Sequence, residues 1–277
     1  MLPFETTVFQ HALLGGLFAS LLCGVVGTYI VTRRMVIVGG GMAHASLGGV
    51  GMGAYFGFAP LGGAAAFAAL SGFLLNWLGR KRSIREDSAV AMIWTFGMAT
   101  GILFACLAPG FMTDLPAYLF GDILSISATS LRWLALFCAV VVALYLLLRG
   151  TIVSIVCDRD FARTQGLPVR AVEALFTLLT ALTIVACLHL VGIIMVVSLL
   201  SVPQLTASLF VRRYDSMVWL SAVWGFVACV AGLCLSYWFD VPSGAAIILV
   251  GIAIYTLARA IKSLCLSLRR MSKTANT

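Results

Sequence analysis

Unbroken apolar runs of membrane-crossing length constrain this chain more than any motif in it. A helix needs about 20 mostly apolar residues to cross the ~30 Å hydrocarbon core of a bilayer. Runs of that length recur near residues 8–31, 36–57, 60–79, 89–108, 130–149, 171–188, 190–211, 216–238 and 242–261. The pattern predicts an all-α fold, a polytopic membrane helical bundle of about nine spans, within a range of roughly 8–10. A further stretch, 115–127, follows Asp114 and holds Pro116 and Asp122. It is too short and too polar to cross, and reads as a re-entrant or interfacial helix. Hydrophobic residues make up 62% of the chain and charged ones 10%, against about 45–50% and about 25% in soluble domains. That excess excludes a disordered chain, a soluble nucleic-acid binder and an ordinary cytosolic enzyme. With no repeat and no low-complexity linker, residues 1–277 read as a single membrane domain.

The charges that remain report orientation. Basic residues collect on the cytoplasmic side of membrane proteins. With the N-terminus outside, the inner segments carry Arg33, Arg34, Arg80, Lys81, Arg82 and Arg85, then Arg149, Arg159, Arg163 and Arg170. Arg212 and Arg213 follow, and Arg259 with the tail at 262–277 closes the set. All but Arg132 of the 18 Lys and Arg residues then lie inside. This predicts a cytoplasmic C-terminus, and it explains the net charge of +8 without nucleic acid. The N-terminus has no basic start and its apolar run is of full span length, so it does not read as a signal peptide.

Several chemistries are missing. No lysine (Lys81, Lys262, Lys273) follows a glycine, so the chain has no phosphate-binding P-loop. There is no G-x-S-x-G elbow and no H-E-x-x-H helix. The eight cysteines form no C-x-x-C pair and mostly fall inside spans, where a free thiol packs as a small apolar residue. A pore, a carrier or the membrane part of a larger machine remains, and the chain is not expected to be an enzyme.

The strongest local anomaly runs from Gly39 through Gly40, Gly41 and His44 to Gly48 and Gly49, inside the second span. Glycines here allow close helix packing or a locally unwound backbone. An ionisable group at that depth is costly unless it faces a cavity or a partner. His44 reads either as a packed histidine or as a metal-contacting residue on a pathway, and the glycines favour the pathway. His189, at the outer end of its span, is a weaker second candidate, and His11 reads as interfacial. Pro203 lies inside the span 190–211, where it should kink the helix; Gln204 and Thr206 would satisfy the freed carbonyl or line the path. Glu173 reads as a first-turn carboxylate favoured by the helix dipole.

The longest cytoplasmic loop holds a second device. Asp158 is a good N-cap, Gly166 a good C-terminal stop, and Pro168 blocks continuation. The spacing predicts a short helix over 158–166 carrying Asp160, Phe161, Ala162 and Arg163. Capping at both ends favours a rigid plug for a cytoplasmic partner over a solvated loop.

Taken in order, these pieces resemble the membrane permease subunits of zinc- and manganese-type ABC transporters. The resemblance is carried by Arg33-Arg34-Met35-Val36 with the glycine run to His44, and by Arg85-Glu86-Asp87-Ser88-Ala89. Tyr118 to Leu124, Asp160 to Arg163 with Gly166, and Val191-Gly192-Ile193 through Pro203 and Ala207 continue it. Ser236-Tyr237 and Pro242 to Ala246 complete it. It implies a divalent metal importer (zinc, manganese or iron) in a bacterial or archaeal cytoplasmic membrane, with no permanently bound cofactor. It also implies a second permease copy as homodimer partner, a separate cytoplasmic ATPase that binds ATP, and an extracytoplasmic metal-binding protein. The 158–166 helix would be the coupling helix docked into the ATPase. One position departs: many members carry an aspartate four residues before the histidine, where this chain has Gly40. Imidazole without that carboxylate leans towards zinc, since manganese prefers more oxygen. An ion-coupled carrier without an ATPase, and a permease for a metal chelate such as a siderophore, are the alternatives. The carrier would need coupling carboxylates deep in its spans, and the ten acids lie almost all at span ends.

Overall fold

Helix α1 (Thr7–Thr32) runs through the centre of the bundle and is the most enclosed of the spans. The computed structural model describes residues 7–78, 85–108, 121, 123 and 126–274, without the side chains of 86, 189, 190, 266 and 268–274. After α1 come α2 (Val36–Phe56), α3 (Pro60–Leu78) and α4 (Glu86–Leu107). Next are α5 (Ala128–Cys157), the short α6 (Arg159–Thr164) and α7 (Val169–Leu199). Then α8 (Val202–Ser208), α9 (Tyr214–Phe239) and α10 (Ser243–Thr274) complete the chain. No strand occurs among the described residues.

Eight stretches are long and apolar enough to cross a membrane. Helix α2, 21 residues long, is not among them, because its glycines and His44 dilute its apolar character. It is enclosed by α3, α4 and α7 and completes the expected set. The outer faces of α3, α4, α5 and α10 expose large apolar side chains such as Leu70, Phe96, Leu147 and Leu249. Exposed apolar faces on this scale belong against lipid or a partner.

Neighbours show that successive spans alternate in direction. Gly53 at the end of α2 meets Pro60 at the start of α3, while Gly41 and Gly51 meet Val90 and Gly101 of the parallel α4. The basic segments consequently share one end. There Arg33 donates to the Ile155 carbonyl at 3.5 Å. At the same end, Tyr145 and Arg149 of α5 both donate to Asp215 of α9 at 2.7 Å, and Lys262 of α10 donates to the Leu209 carbonyl.

Several boundaries differ from expectation. Helix α5 runs on to Cys157 rather than ending near 149, because Ile152 and Ile155 are fully buried and hold the extra turns to the bundle. Helix α10 likewise continues through the tail at 262–274. The block 171–211 breaks in two places. Gly192 (φ 75°, ψ 163°) adopts a backbone that only glycine takes readily, and a second break at Ser201 ends the helix. Pro203 therefore sits in the first turn of a new helix, where its missing N–H costs nothing, instead of kinking a continuous one. Of the expected re-entrant stretch 115–127, most lies outside the described residues. Gly121 abuts the backbone at Val191 and Gly192, and Ile123 is buried.

Candidate functional site

The glycine run folds as continuous helix, so no backbone unwinds there, and Gly41, Gly48 and Gly49 serve packing. A Cβ on Gly49 would land on the carbonyl of Gly63 in α3, and one on Gly41 would come 2.6 Å from Val90. Gly48 faces the Gly97 carbonyl of α4. Small residues at crossings let backbones approach in this way. Gly39 and Gly40 differ, because a Cβ there would meet its nearest neighbours, Ile30 and Val197, only at 3.6 and 3.8 Å. The close packing thus clamps α2 on two sides and leaves room on the third.

His44 is half-buried on this clamped helix. Its ring stacks on Trp94 of α4 with centroids 4.3 Å apart and planes at 11°. Trp94 is fixed in turn by its indole N–H, which donates to the Met98 sulfur at 2.9 Å. The His44 Nδ1 is buried and has no partner among the described residues. A buried polar atom without a partner is costly, and a neutral imidazole nitrogen is a ready ligand for a transition metal. No group of three or more His, Cys, Asp or Glu side chains able to hold a metal occurs among the described residues. One described chain therefore offers a single nitrogen donor here, without a closed coordination cage.

Inward of His44, a cavity of ≈ 270 Å³ opens between α1, α2, α3, α4, α6 and α7. Gly39 and Met42 of α2 line it, together with Arg33, Glu173, Asn76 and Thr177. The step from Gly39 to His44 is about 7.5 Å of helix rise. At the opposite end, a hollow of ≈ 440 Å³ is bounded by Phe9, Gly121, Ser236, Tyr237, Asp240 and Ser243. Asp240 holds a left-handed backbone (φ 52°) as it terminates α9.

The other expected residues fall in distinct places. Gln204 is fully buried, and its amide donates to the carbonyls of Cys23 at 2.6 Å and Leu199 at 3.1 Å. The Leu199 bond lies at the break before α8, and the Cys23 bond ties α8 to α1. His189 lies on α7, and its side chain is outside the described residues. The short helix is present as α6: Asp158 accepts from the backbone N–H groups of Asp160 and Phe161 at 3.0 Å. Gly166 (φ 73°) takes the left-handed stop. Phe161 is 57% exposed while Ala162 is fully buried, so α6 is seated on the bundle with one large apolar side chain facing out.

Two residues that sequence reasoning passed over matter here, and a third that it read differently. Trp94 had no signal apart from lying in a span. Val197 faces Gly40 only because the break at Gly192 turns that segment inward. Glu173 is the correction: α7 begins at Val169, so Glu173 lies beyond the first turn and binds Arg33 at 3.0 Å and Arg159 at 2.6 Å.

Comparison with known proteins decides the family. A profile of the ABC 3 transport family matches residues 5–262. The chain belongs to the ABC 3 transport family. Among this ABC 3 protein's relatives is a membrane protein of Synechocystis sp., 39% identical over 253 residues, 91% of this chain and 90% of that one. The manganese transport system membrane protein MntC of Halalkalibacterium halodurans is 34% identical over 251 residues, covering 90% and 85%. The solved structure of PsaBC from Streptococcus pneumoniae in complex with Fab superposes with a TM-score of 0.84, covering 92% of each chain at 28% identity. The ABC 3 protein is thus a multi-pass membrane protein of a transport family.

Proposed function

We propose that this ABC 3 protein is the membrane permease of an ATP-driven importer for a divalent transition metal, with manganese first and zinc and iron as competitors. The observation that carries the reading is His44, whose unpartnered Nδ1 sits on a glycine-clamped helix that also lines the inner cavity through Gly39 and Met42. Relatives named for manganese transport support the choice of ion. Gly40 in place of a carboxylate weakens it, since manganese favours oxygen donors.

In this reading the ion arrives from an extracytoplasmic binding protein and pauses at His44. It leaves through the inner cavity when the permease rocks to an inward state. A nucleotide or ligand shifts such an equilibrium only by its differential affinity for the two states. That affinity resides in a cytoplasmic ATPase subunit docked on α6 through Asp158, Asp160, Phe161, Arg163 and Gly166. A second copy of the chain would supply further metal donors and cover exposed apolar helix faces. In this reading the shared basic end faces the cytoplasm, by the usual bias of basic residues, and the C-terminus lies inside. An ion-coupled carrier fits less well: among the described residues the acids Asp87, Asp158, Asp160, Glu173, Asp215 and Asp240 all lie near helix ends.

The test is reconstitution with the ATPase subunit and metal-binding protein in proteoliposomes. ATP-dependent uptake of radioactive manganese, competed by zinc and iron, is expected. Absence of ATP-dependent uptake for all three ions, or ATP hydrolysis by the purified chain alone, would overturn the reading.

A further inference from the structure

We infer that Glu173 is a positioning residue that transmits movement from α6 into the bundle, because its two carboxylate oxygens hold Arg159 of α6 and Arg33, in the turn that follows α1, at once. The inference rests on the proposed docking of an ATPase on α6 and names the route by which that docking would move the spans.

Helix α6 has six residues, too few to be a stable helix unaided. Its inward face therefore has to hold it in place. Arg159 and Ala162, three residues apart, share that face. Ala162 is fully buried against the bundle, a contact that resists a push towards the membrane. It gives no grip against a pull or a sideways displacement. Arg159 supplies that grip, reaching the Glu173 Oε2 at 2.6 Å.

Glu173 passes the displacement on. Its Oε1 accepts from Arg33 at 3.0 Å, and Arg33 also donates to the Ile155 carbonyl at the end of α5. One turn along α7, Phe176 stacks on Tyr29 of α1 with centroids 4.2 Å apart. Next to it, Thr177 accepts from Asn76 of α3 at 2.5 Å. A shift of α6 therefore reaches α1, α3, α5 and α7 around the walls of the inner cavity. Only 12% of the Glu173 side chain is accessible, so water screens this pair of bridges less than it screens the Arg163–Asp160 pair on the outer face of α6. The helix-dipole account of Glu173 explains neither arginine.

The test uses the full complex with its ATPase subunit in proteoliposomes and reads manganese ions moved per ATP hydrolysed. Glu173→Gln and Arg159→Gln should each lower that ratio about fivefold or more while ATP hydrolysis continues. The double variant should lose no more than either single one, because both remove the same link. Arg159→Lys, which keeps the charge within reach, should restore most of the ratio. An unchanged ratio in Glu173→Gln, additive losses, or an Arg159→Lys variant as poor as Arg159→Gln would overturn the inference. If Glu173→Gln fails to assemble, Arg159→Gln decides alone, since it leaves the Arg33–Glu173 bridge in place. A wild-type complex without ATP-driven uptake would instead defeat the functional reading on which the inference stands.

Discussion

His44 lies flat on Trp94, with ring centroids 4.3 Å apart and planes at 11°. The stacking fixes the imidazole plane through a face-to-face contact and uses neither ring nitrogen. The ring is thus oriented while its nitrogens stay available, which suits a ligand to a passing ion. His44→Ala should abolish metal uptake while the complex still assembles. Trp94→Leu should keep the nitrogen but free the ring, raising the KM for uptake more than it lowers the maximal rate. Radiometal uptake across a concentration series separates these outcomes, and normal uptake by His44→Ala would reduce that residue to packing.

Two glycines of α2 respond oppositely to enlargement. At Gly40 there is ordinary van der Waals room beside Val197. Gly40→Asp would place a carboxylate one turn from His44 on the same helix face, adding an oxygen donor. Competitive uptake should then shift towards manganese relative to zinc. At Gly49 the added carbon would overlap the Gly63 carbonyl. Gly49→Ala should cost about 1–3 kcal/mol through forced separation of α2 and α3, visible as a lower thermal midpoint in detergent.

Phe161 is the large apolar side chain that α6 turns away from the bundle, beside the buried Ala162. Phe161→Asp leaves the capped helix and its seat intact but places a charge in the proposed docking surface. Pull-down of the ATPase subunit by this variant should fail, whereas Thr164→Ala at the end of the same helix should retain it. Intact association of Phe161→Asp would remove α6 from the docking site.

Gln204 joins α8 to α1 through the Cys23 carbonyl and closes the break through the Leu199 carbonyl. Gln204→Leu keeps the volume, removes the tie to α1 and strands the Leu199 carbonyl, whose i+4 residue Pro203 has no N–H to offer. A loss of about 1–3 kcal/mol is expected for an acceptor left unsatisfied in this way. The measurement is thermal unfolding alongside uptake per folded complex. A fall in stability with unchanged uptake per folded complex assigns Gln204 to structure; a selective loss of uptake would return it to the pathway.

How far the sequence could be read depends on the range of the interaction concerned. Span lengths, the caps at Asp158 and Gly166, and the one-sided arginines are local or additive properties of the chain. The bilayer and the peptide backbone impose them residue by residue, so nine apolar runs and a short loop helix could be read directly. The isolation of His44 among apolar neighbours was legible for the same reason. What neighbours do to one another was not. Whether the glycines unwind or pack depended on Gly63, Val90 and Gly97 arriving from other helices. Whether Glu173 answers a dipole or two arginines depended on Arg33, 140 residues away, meeting Arg159 at one carboxylate. Whether Pro203 kinks a helix or starts one depended on Gly192 and Ser201 breaking the chain first. Sequence alone placed the protein in a membrane and singled out His44 among its three histidines. Tertiary structure decided what that histidine faces, because juxtaposition across helices is set by packing complementarity over the whole bundle and leaves no periodic trace along the chain.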